Sequence, residues 1–311
     1  MNSPLLHWLP YKLIKKDQEY FFEWLYLGER RFQEPFFDET ILKCKSLNEN
    51  SRYLKVISHS LAVIEWSKQI DSVKPLALIF HVSRCGSTML SQALTVPRRN
   101  IVVPEIPILD DILRDSDMPE VLRIQLFMAV FKFLGQIRFE NQQYFILKTD
   151  SWHLMYLEQL RTYFPELPFI ILTREPEAVL KSHKRNRGMH MVPNLLPSTM
   201  YGTTQDLPAP EKLDDYAAWV LKKYYLAIHE FCQTDNNILL CDYKLGFHNI
   251  IKQYLEITNQ QFSIEESNQI DARLKKHSKN PEQTFAGDAN VPIQLEHLES
   301  LKEAYAMLSK F

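Results

Sequence analysis

From residue 75 onward, short wholly apolar runs alternate with longer segments whose apolar residues recur every three or four positions. Five runs stand out: Pro75–Val82 (PLALIFHV), Asn100–Pro104 (NIVVP), Tyr144–Lys148 (YFILK), Pro168–Thr173 (PFIILT) and Asn237–Asp242 (NILLCD). Runs this short, apolar throughout and bounded by proline, asparagine or charge, predict strands buried on both faces. Residues 87–95, 118–138, 152–164 and 212–233 have helical spacing, and another helix is expected from Pro176, a residue suited to a first helical turn. Strands that alternate with helices predict an α/β fold, with a central parallel sheet of about five strands and helices on both faces.

Ahead of this region the pattern is less regular. Residues 1–50 are rich in aromatics (Trp8, Tyr20, Phe21, Phe22, Trp24, Phe36, Phe37), and 59–70 predict a short helix. The expectation is a mainly helical segment over 1–74 packed on an α/β domain at 75–311, because fifty residues make a thin independent core. Residues 186–210 contain four prolines and break the periodicity, so they predict a long loop of the kind that often carries function.

Composition narrows the classes. The 311 residues carry a formal net charge of −2, which argues against a broad nucleic-acid-binding surface. No stretch approaches the roughly 20 apolar residues of a membrane span, and the N-terminus lacks the pattern of a secretory signal. Cys44, Cys85, Cys232 and Cys241 form no CxxC pair, so no zinc site is expected, and free thiols suit a reducing compartment. A soluble cytoplasmic protein without a metal is the expectation.

Two motifs follow predicted strands. In the first, Arg84-Cys85-Gly86-Ser87-Thr88-Met89 lies where the first core strand turns into its helix. Gly86 lets the backbone approach an anion, the helix start favours negative charge, Ser87 and Thr88 add hydroxyls, and Arg84 offers a guanidinium fork. The GxxxxGK[ST] pattern is absent, since serine follows Gly86 and no glycine stands five positions before it. A plain strand–turn–helix with a capping serine accounts for the same string. In the second motif, Arg174 ends the fourth strand and Ser182 stands eight positions later, ahead of a basic cluster of His183, Lys184, Arg185 and Arg187. That cluster also reads as a solvated helix end favoured by the dipole.

In this order the two motifs resemble those of the sulfotransferase superfamily, whose 5′-phosphosulfate loop reads [KR]-x-G-[ST]-[ST] and whose 3′-phosphate motif pairs an arginine with a serine eight residues on. The strings FHVSRCGSTMLSQAL and LTREPEAVLKSHKRNRGMHMVPN are similar to bacterial members, and the resemblance covers about residues 75–195. It implies a P-loop-NTPase-like three-layer fold. It also implies an enzyme that moves a sulfuryl group from 3′-phosphoadenosine 5′-phosphosulfate (PAPS) to a hydroxyl or amine of a small-molecule or glycan acceptor, in line and without a metal. The donor site would comprise Arg84, Cys85, Gly86, Ser87, Thr88, Met89, Arg174 and Ser182. Lys279, ahead of Phe285-Ala-Gly-Asp288, is the counterpart of a late basic–glycine loop, although the family's RKGxxGDW string is missing.

The resemblance also points to catalytic groups. Cytosolic sulfotransferases have lysine at the position of Arg84 and Lys-Thr-His where this chain has Lys148-Thr149-Asp150. Arg84 is a poor proton donor, so its role is electrostatic, shared with Lys148. The acceptor's base is then Asp150 or Glu105, the carboxylate after the second strand, and Asp150 is equally placed to cap the next helix. His153, His183 and His190 are weaker candidates. Two other readings compete. One is a nucleotide kinase or related phosphotransferase, against which the missing lysine and the lack of a clear magnesium acid count. The other is a non-catalytic nucleotide-binding member that acts through a partner.

Overall fold

The five apolar runs are strands in the computed structural model, which describes residues 4–51, 53, 55–202, 204, 206–276 and 298–311. In chain order the elements are β1 (Trp8–Lys16), β2 (Glu19–Tyr26), α1 (Phe37–Cys44), β3 (Ile57–His59), α2 (Ser60–Ser67), β4 (Pro75–His81), α3 (Ser87–Leu94), β5 (Asn100–Pro104), α4 (Pro107–Arg114) and α5 (Glu120–Leu134). They continue with β6 (Tyr144–Lys148), α6 (Leu157–Tyr163), β7 (Phe169–Thr173), α7 (Pro176–Arg185), α8 (Leu213–Thr234), β8 (Ile238–Asp242), α9 (Phe247–Ile257), α10 (Ile264–Leu274) and α11 (Leu298–Ala306).

Strands β4 to β8 form one sheet in the order β5-β6-β4-β7-β8. The pairings β5/β6, β4/β7 and β7/β8 are parallel, with Ile79 opposite Ile170 and Ile171 opposite Leu240. Every residue of β5 and β7 is buried, which explains why these strands read as unbroken apolar runs. The strand order reverses at β4, and a ligand crevice is expected outside the carboxyl end of a strand at such a point.

The chain divides into two units: Met1–Ala77 with Ser91–Lys148 and Phe262–Arg273, and Leu78–Leu90 with Thr149–Gln261 and Leu274–Phe311. In the first, Trp24 joins the N-terminal strands to the helices: its ring meets Phe133 of α5 edge-on at 5.0 Å and Trp66 of α2 at 5.6 Å. The second is built around α8, whose Tyr216, Trp219, Tyr224, Tyr225 and Ile228 are all buried. Arg161 staples the start of β7, lying 3.7 Å over the Phe169 ring while donating to the carbonyls of Phe164 at 2.9 Å and Leu167 at 2.6 Å.

Three expectations need correction. The segment before residue 74 is not mainly helical: β1, β2 and β3 form an antiparallel sheet beside α1 and α2. Its turn is hidden in the sequence because Asp17 and Gln18, with φ of 50° and 65°, make the tight left-handed turn without a glycine. The register also shifts between Pro10 and Lys12, which blurs the alternation of the strand. The helix expected over 118–138 spans only Glu120–Leu134, with α4 preceding it, and the one expected over 152–164 opens with a 3-10 turn at Ser151–Tyr156. Among the described residues no helix is long and apolar enough to cross a membrane.

The hairpin generates a prediction. Replacing Asp17-Gln18 by Asn-Gly puts glycine in place of Gln18 and asparagine, which tolerates positive φ, in place of Asp17, and should stabilise the protein by about 1 kcal/mol in denaturant titration.

Candidate functional site

The loop after β4 has an unusual backbone. Ser83, Arg84 and Gly86 all adopt positive φ, at 68°, 51° and 83°. Left-handed conformations at non-glycine residues cost on the order of 1 kcal/mol each, so surrounding contacts must hold this loop in place. Gly86 then caps α3, its carbonyl accepting from the amides of Met89 at 2.9 Å and Leu90 at 3.1 Å. The backbone of residues 84–88 thus wraps the amino end of α3, where anions are favoured. Cys85, Ser87, Thr88 and Met89 are buried, while Arg84 and Gly86 are partly exposed.

The same unit brings Arg174 to this loop. Its Nη1 donates to the Arg84 carbonyl at 2.9 Å, and its own carbonyl accepts from the Tyr225 hydroxyl at 2.6 Å. The Arg84 guanidinium in turn donates to the carbonyl of Asn186, where the long loop over 186–210 begins. The two arginines that the sequence singled out, 90 positions apart, therefore converge. Ser182 is half-buried on α7, two turns beyond Arg174.

The remaining candidates form two groups. In the first unit, Lys148 is entirely buried at the end of β6 and its ammonium is ion-paired to Glu105, whose side chain is 20% exposed. Glu105 has φ of 40°, and its amide donates to the Lys148 carbonyl at 2.7 Å, so backbone and side chain link the two residues. In the second unit, Asp150 takes the capping position of the Ser151–Tyr156 turn, its amide donating to His153 Nδ1 at 3.3 Å. His183 is fully buried on α7 and accepts from the Gly188 amide at 3.2 Å, and its ring stands edge-on to that of His190 at 5.3 Å. Lys279 lies outside the described residues, as does the segment at 285–288. Among the described residues no three His, Cys, Asp or Glu side chains cluster as metal ligands would.

Sequence reasoning missed the residues that press on the loop from β8. A Cβ on Gly86 would meet Phe247 Cζ at 2.5 Å and the Tyr243 ring at 3.1 Å, so any larger residue there has to displace these aromatics as well as adopt a positive φ. The Arg174 guanidinium lies 4.4 Å over the Tyr243 ring. Tyr243 is itself held, because Asp242 accepts from the Lys244 amide at 2.9 Å and from the Tyr305 hydroxyl of α11. Burial first, and then the bond to Asp242, push the Tyr305 hydroxyl well above its usual range. The sequence gives no spacing signal for these contacts, which follow from β8 lying next to β7.

The long loop is narrower in conformation than its composition suggests. Met189–Met191 and Ser198–Tyr201 form single 3-10 turns, with Met191, Leu196 and Tyr201 buried. From its start Arg187 reaches the residues beyond its end, donating to the Leu213 carbonyl at 2.8 Å and pairing with Asp214, which also meets Lys184 at 3.3 Å. Burial alone would raise the Asp214 carboxyl, but Arg187 and Lys184 outweigh it and hold it below the usual aspartate value.

No family model matches the chain, and no curated protein matches it. Solved structures similar to this chain include sulfotransferases. The sulfotransferase domain from the curacin biosynthetic pathway is 14% identical, covering 77% of this chain and 99% of its own, with a TM-score of 0.47. Sulfotransferase STF9 from Mycobacterium avium is 13% identical over 81% of each chain, with a TM-score of 0.49. Mouse sulfotransferase SULT7A1, complexed with PAP, is 12% identical over 72% of this chain and 74% of its own, with a TM-score of 0.38. At these identities no substrate passes from those proteins to this one, and the functional reading rests on the residues themselves.

Two predictions follow from the charges. Glu105→Gln strands a buried ammonium and should cost about 3 kcal/mol in denaturant titration, whereas Glu105→Gln combined with Lys148→Met should recover most of that loss. The Asp214 pairing is present above the ordinary aspartate range and is lost as pH falls through the lowered pKa. Asp214→Asn should therefore speed amide exchange over 186–212 at pH 7, with the difference from the wild type persisting through the ordinary aspartate range and vanishing only as pH falls through the lowered pKa. Because the pair is partly exposed, the effect on global stability should stay under about 1 kcal/mol.

Proposed function

We propose that this chain is a sulfotransferase that takes its sulfuryl group from PAPS and belongs with the bacterial-type members that its two motifs resemble. The observation that carries the reading is the meeting of Arg174 and Arg84 across the left-handed loop that ends at Gly86. An anion-binding loop needs close backbone approach and more than one cation, and this one has both. Gly86 sits at positive φ against two aromatic rings, and the two guanidiniums are fixed by backbone carbonyls. PAPS supplies the sulfuryl group, with adenosine 3′,5′-bisphosphate (PAP) as its leaving group.

In this reading the backbone from Cys85 to Met89, with the hydroxyls of Ser87 and Thr88, holds the 5′-phosphosulfate. Arg84 balances charge there without giving up a proton. Arg174 and Ser182 hold the 3′-phosphate, and Lys279 is the late cation. As the acceptor oxygen bonds to sulfur and the bridging oxygen leaves, the acceptor's proton goes to a carboxylate. Glu105, with Lys148 holding its charge, and Asp150 are the two candidates. Positioning and charge stabilisation then do most of the work, and no metal is required. The acceptor is a hydroxyl or amine of a small molecule or glycan.

Calorimetric titration with PAP, in the absence of metal, should show tight binding and only weak binding of ATP with magnesium. Arg84→Met and Arg174→Met should each weaken PAP binding at least about tenfold. With sulfated product as the readout, whichever of Glu105→Gln and Asp150→Asn abolishes turnover while PAP affinity holds identifies the base. A preference for magnesium–ATP would instead make the protein a phosphotransferase.

A further inference from the structure

His81 belongs to neither motif, yet it occupies the join between them and the Asp150 turn. It is the last residue of β4 and is 4% exposed. Its Nδ1 accepts from the Ser83 amide at 3.1 Å, with the Ser151 hydroxyl 3.4 Å away, and its Nε2 lies 3.0 Å from the Thr149 carbonyl. An amide only donates, so Nδ1 presents a lone pair. A carbonyl only accepts, so Nε2 carries the proton. These contacts fix both the tautomer and the charge: the ring is a neutral imidazole, and a proton on Nδ1 would face the Ser83 N–H.

This ring does two things for the loop. It supplies the acceptor for Ser83, the first residue of the left-handed turn, whose φ of 68° is costly without a partner. It also links that turn to Thr149, which is independently fastened to β4 by its amide, 2.9 Å from the Ile79 carbonyl, and by its hydroxyl, 3.1 Å from the same oxygen. The anion loop and the turn that carries Asp150 therefore share one buried side chain.

We propose that His81 is a positioning residue: as a neutral imidazole protonated on Nε2, it sets the left-handed turn that opens the anion loop and locks that turn to Thr149–Ser151. The anion's identity rests on the sulfotransferase reading, while the control of loop conformation does not. The two halves are tested by different signals in the full-length protein.

Amide exchange by mass spectrometry over residues 82–90, without ligand, reads the loop, and titration with PAP reads its use. His81→Leu keeps the bulk and removes both polar atoms. It should speed exchange over 82–90 about tenfold, the effect of losing one buried hydrogen bond, and weaken PAP to a similar degree. His81→Asn returns an acceptor near the Nδ1 position and should restore both signals. His81→Gln reaches toward Thr149 instead and should leave the loop exchanging fast. If His81→Leu does not fold, the comparison of Asn with Gln decides alone. Unchanged exchange in a folded His81→Leu protein, or His81→Gln protecting the loop better than His81→Asn, overturns the assignment. A wild-type protein that does not bind PAP removes the sulfotransferase reading, and the exchange comparison still decides the role of His81.

Discussion

Reversed backbone handedness just after β4 is the constraint on which the second unit is organised. A strand buried on both faces has to turn sharply to feed a helix packed against its own sheet. Here the turn passes through Ser83, Arg84 and Gly86 at positive φ. Two of these residues have side chains that resist the conformation, so the turn exists only because other groups hold it. The Ser83 amide is bound by His81, the Arg84 carbonyl by Arg174, and Gly86 is closed over by Tyr243 and Phe247. The contacts that stabilise the turn are also those that bring Arg174 to the loop.

Those contacts reach the loop from three parts of the chain, and the two that follow β7 and β8 are braced from behind. Tyr225 on α8 fixes the Arg174 carbonyl, and Glu175 caps α7 by accepting from the amides of Glu177 at 2.9 Å and Ala178 at 2.8 Å. Tyr305 fixes Asp242 and, through it, the turn that carries Tyr243. Lys302 on the same helix reaches Glu177 at 2.9 Å, so α11 touches both β8's exit and the start of α7. A turn held in a strained conformation needs such bracing, because its own residues favour a different backbone.

Much of this fold was legible in the sequence because its strands are buried on both faces. Residues such as Phe169–Thr173 have no exposed position to interrupt the apolar run, and proline or asparagine marks the ends. The turn after β4 and the arginine that meets it were legible as local strings, a few residues following a strand, while their use in binding an anion remains a proposal. What stayed hidden depends on chain neighbours that spacing does not encode. The hairpin of β1 and β2 turns at Asp17-Gln18, a pair with no glycine, and both faces of β2 bury aromatic or apolar residues, so no alternation survives. Tyr243, Phe247 and Tyr305 matter only because β8 pairs beside β7, a fact of strand order. Asp150 shows the opposite limit: the sequence offered base and cap, and the structure seats it as a cap without removing the other role.

The pairing of Lys148 with Glu105 also bears on how this chain diverges. Among the described residues the wholly enclosed Lys148 ammonium is answered by Glu105, and losing Glu105 first leaves a charge that the interior cannot hydrate. A chain that loses Glu105 alone is therefore expected to fold poorly, whereas exchange of both for apolar residues removes the charge together with its partner. The order of the two changes then matters: Lys148 can be given up first at lower cost than Glu105, so drift at this pair has a preferred direction.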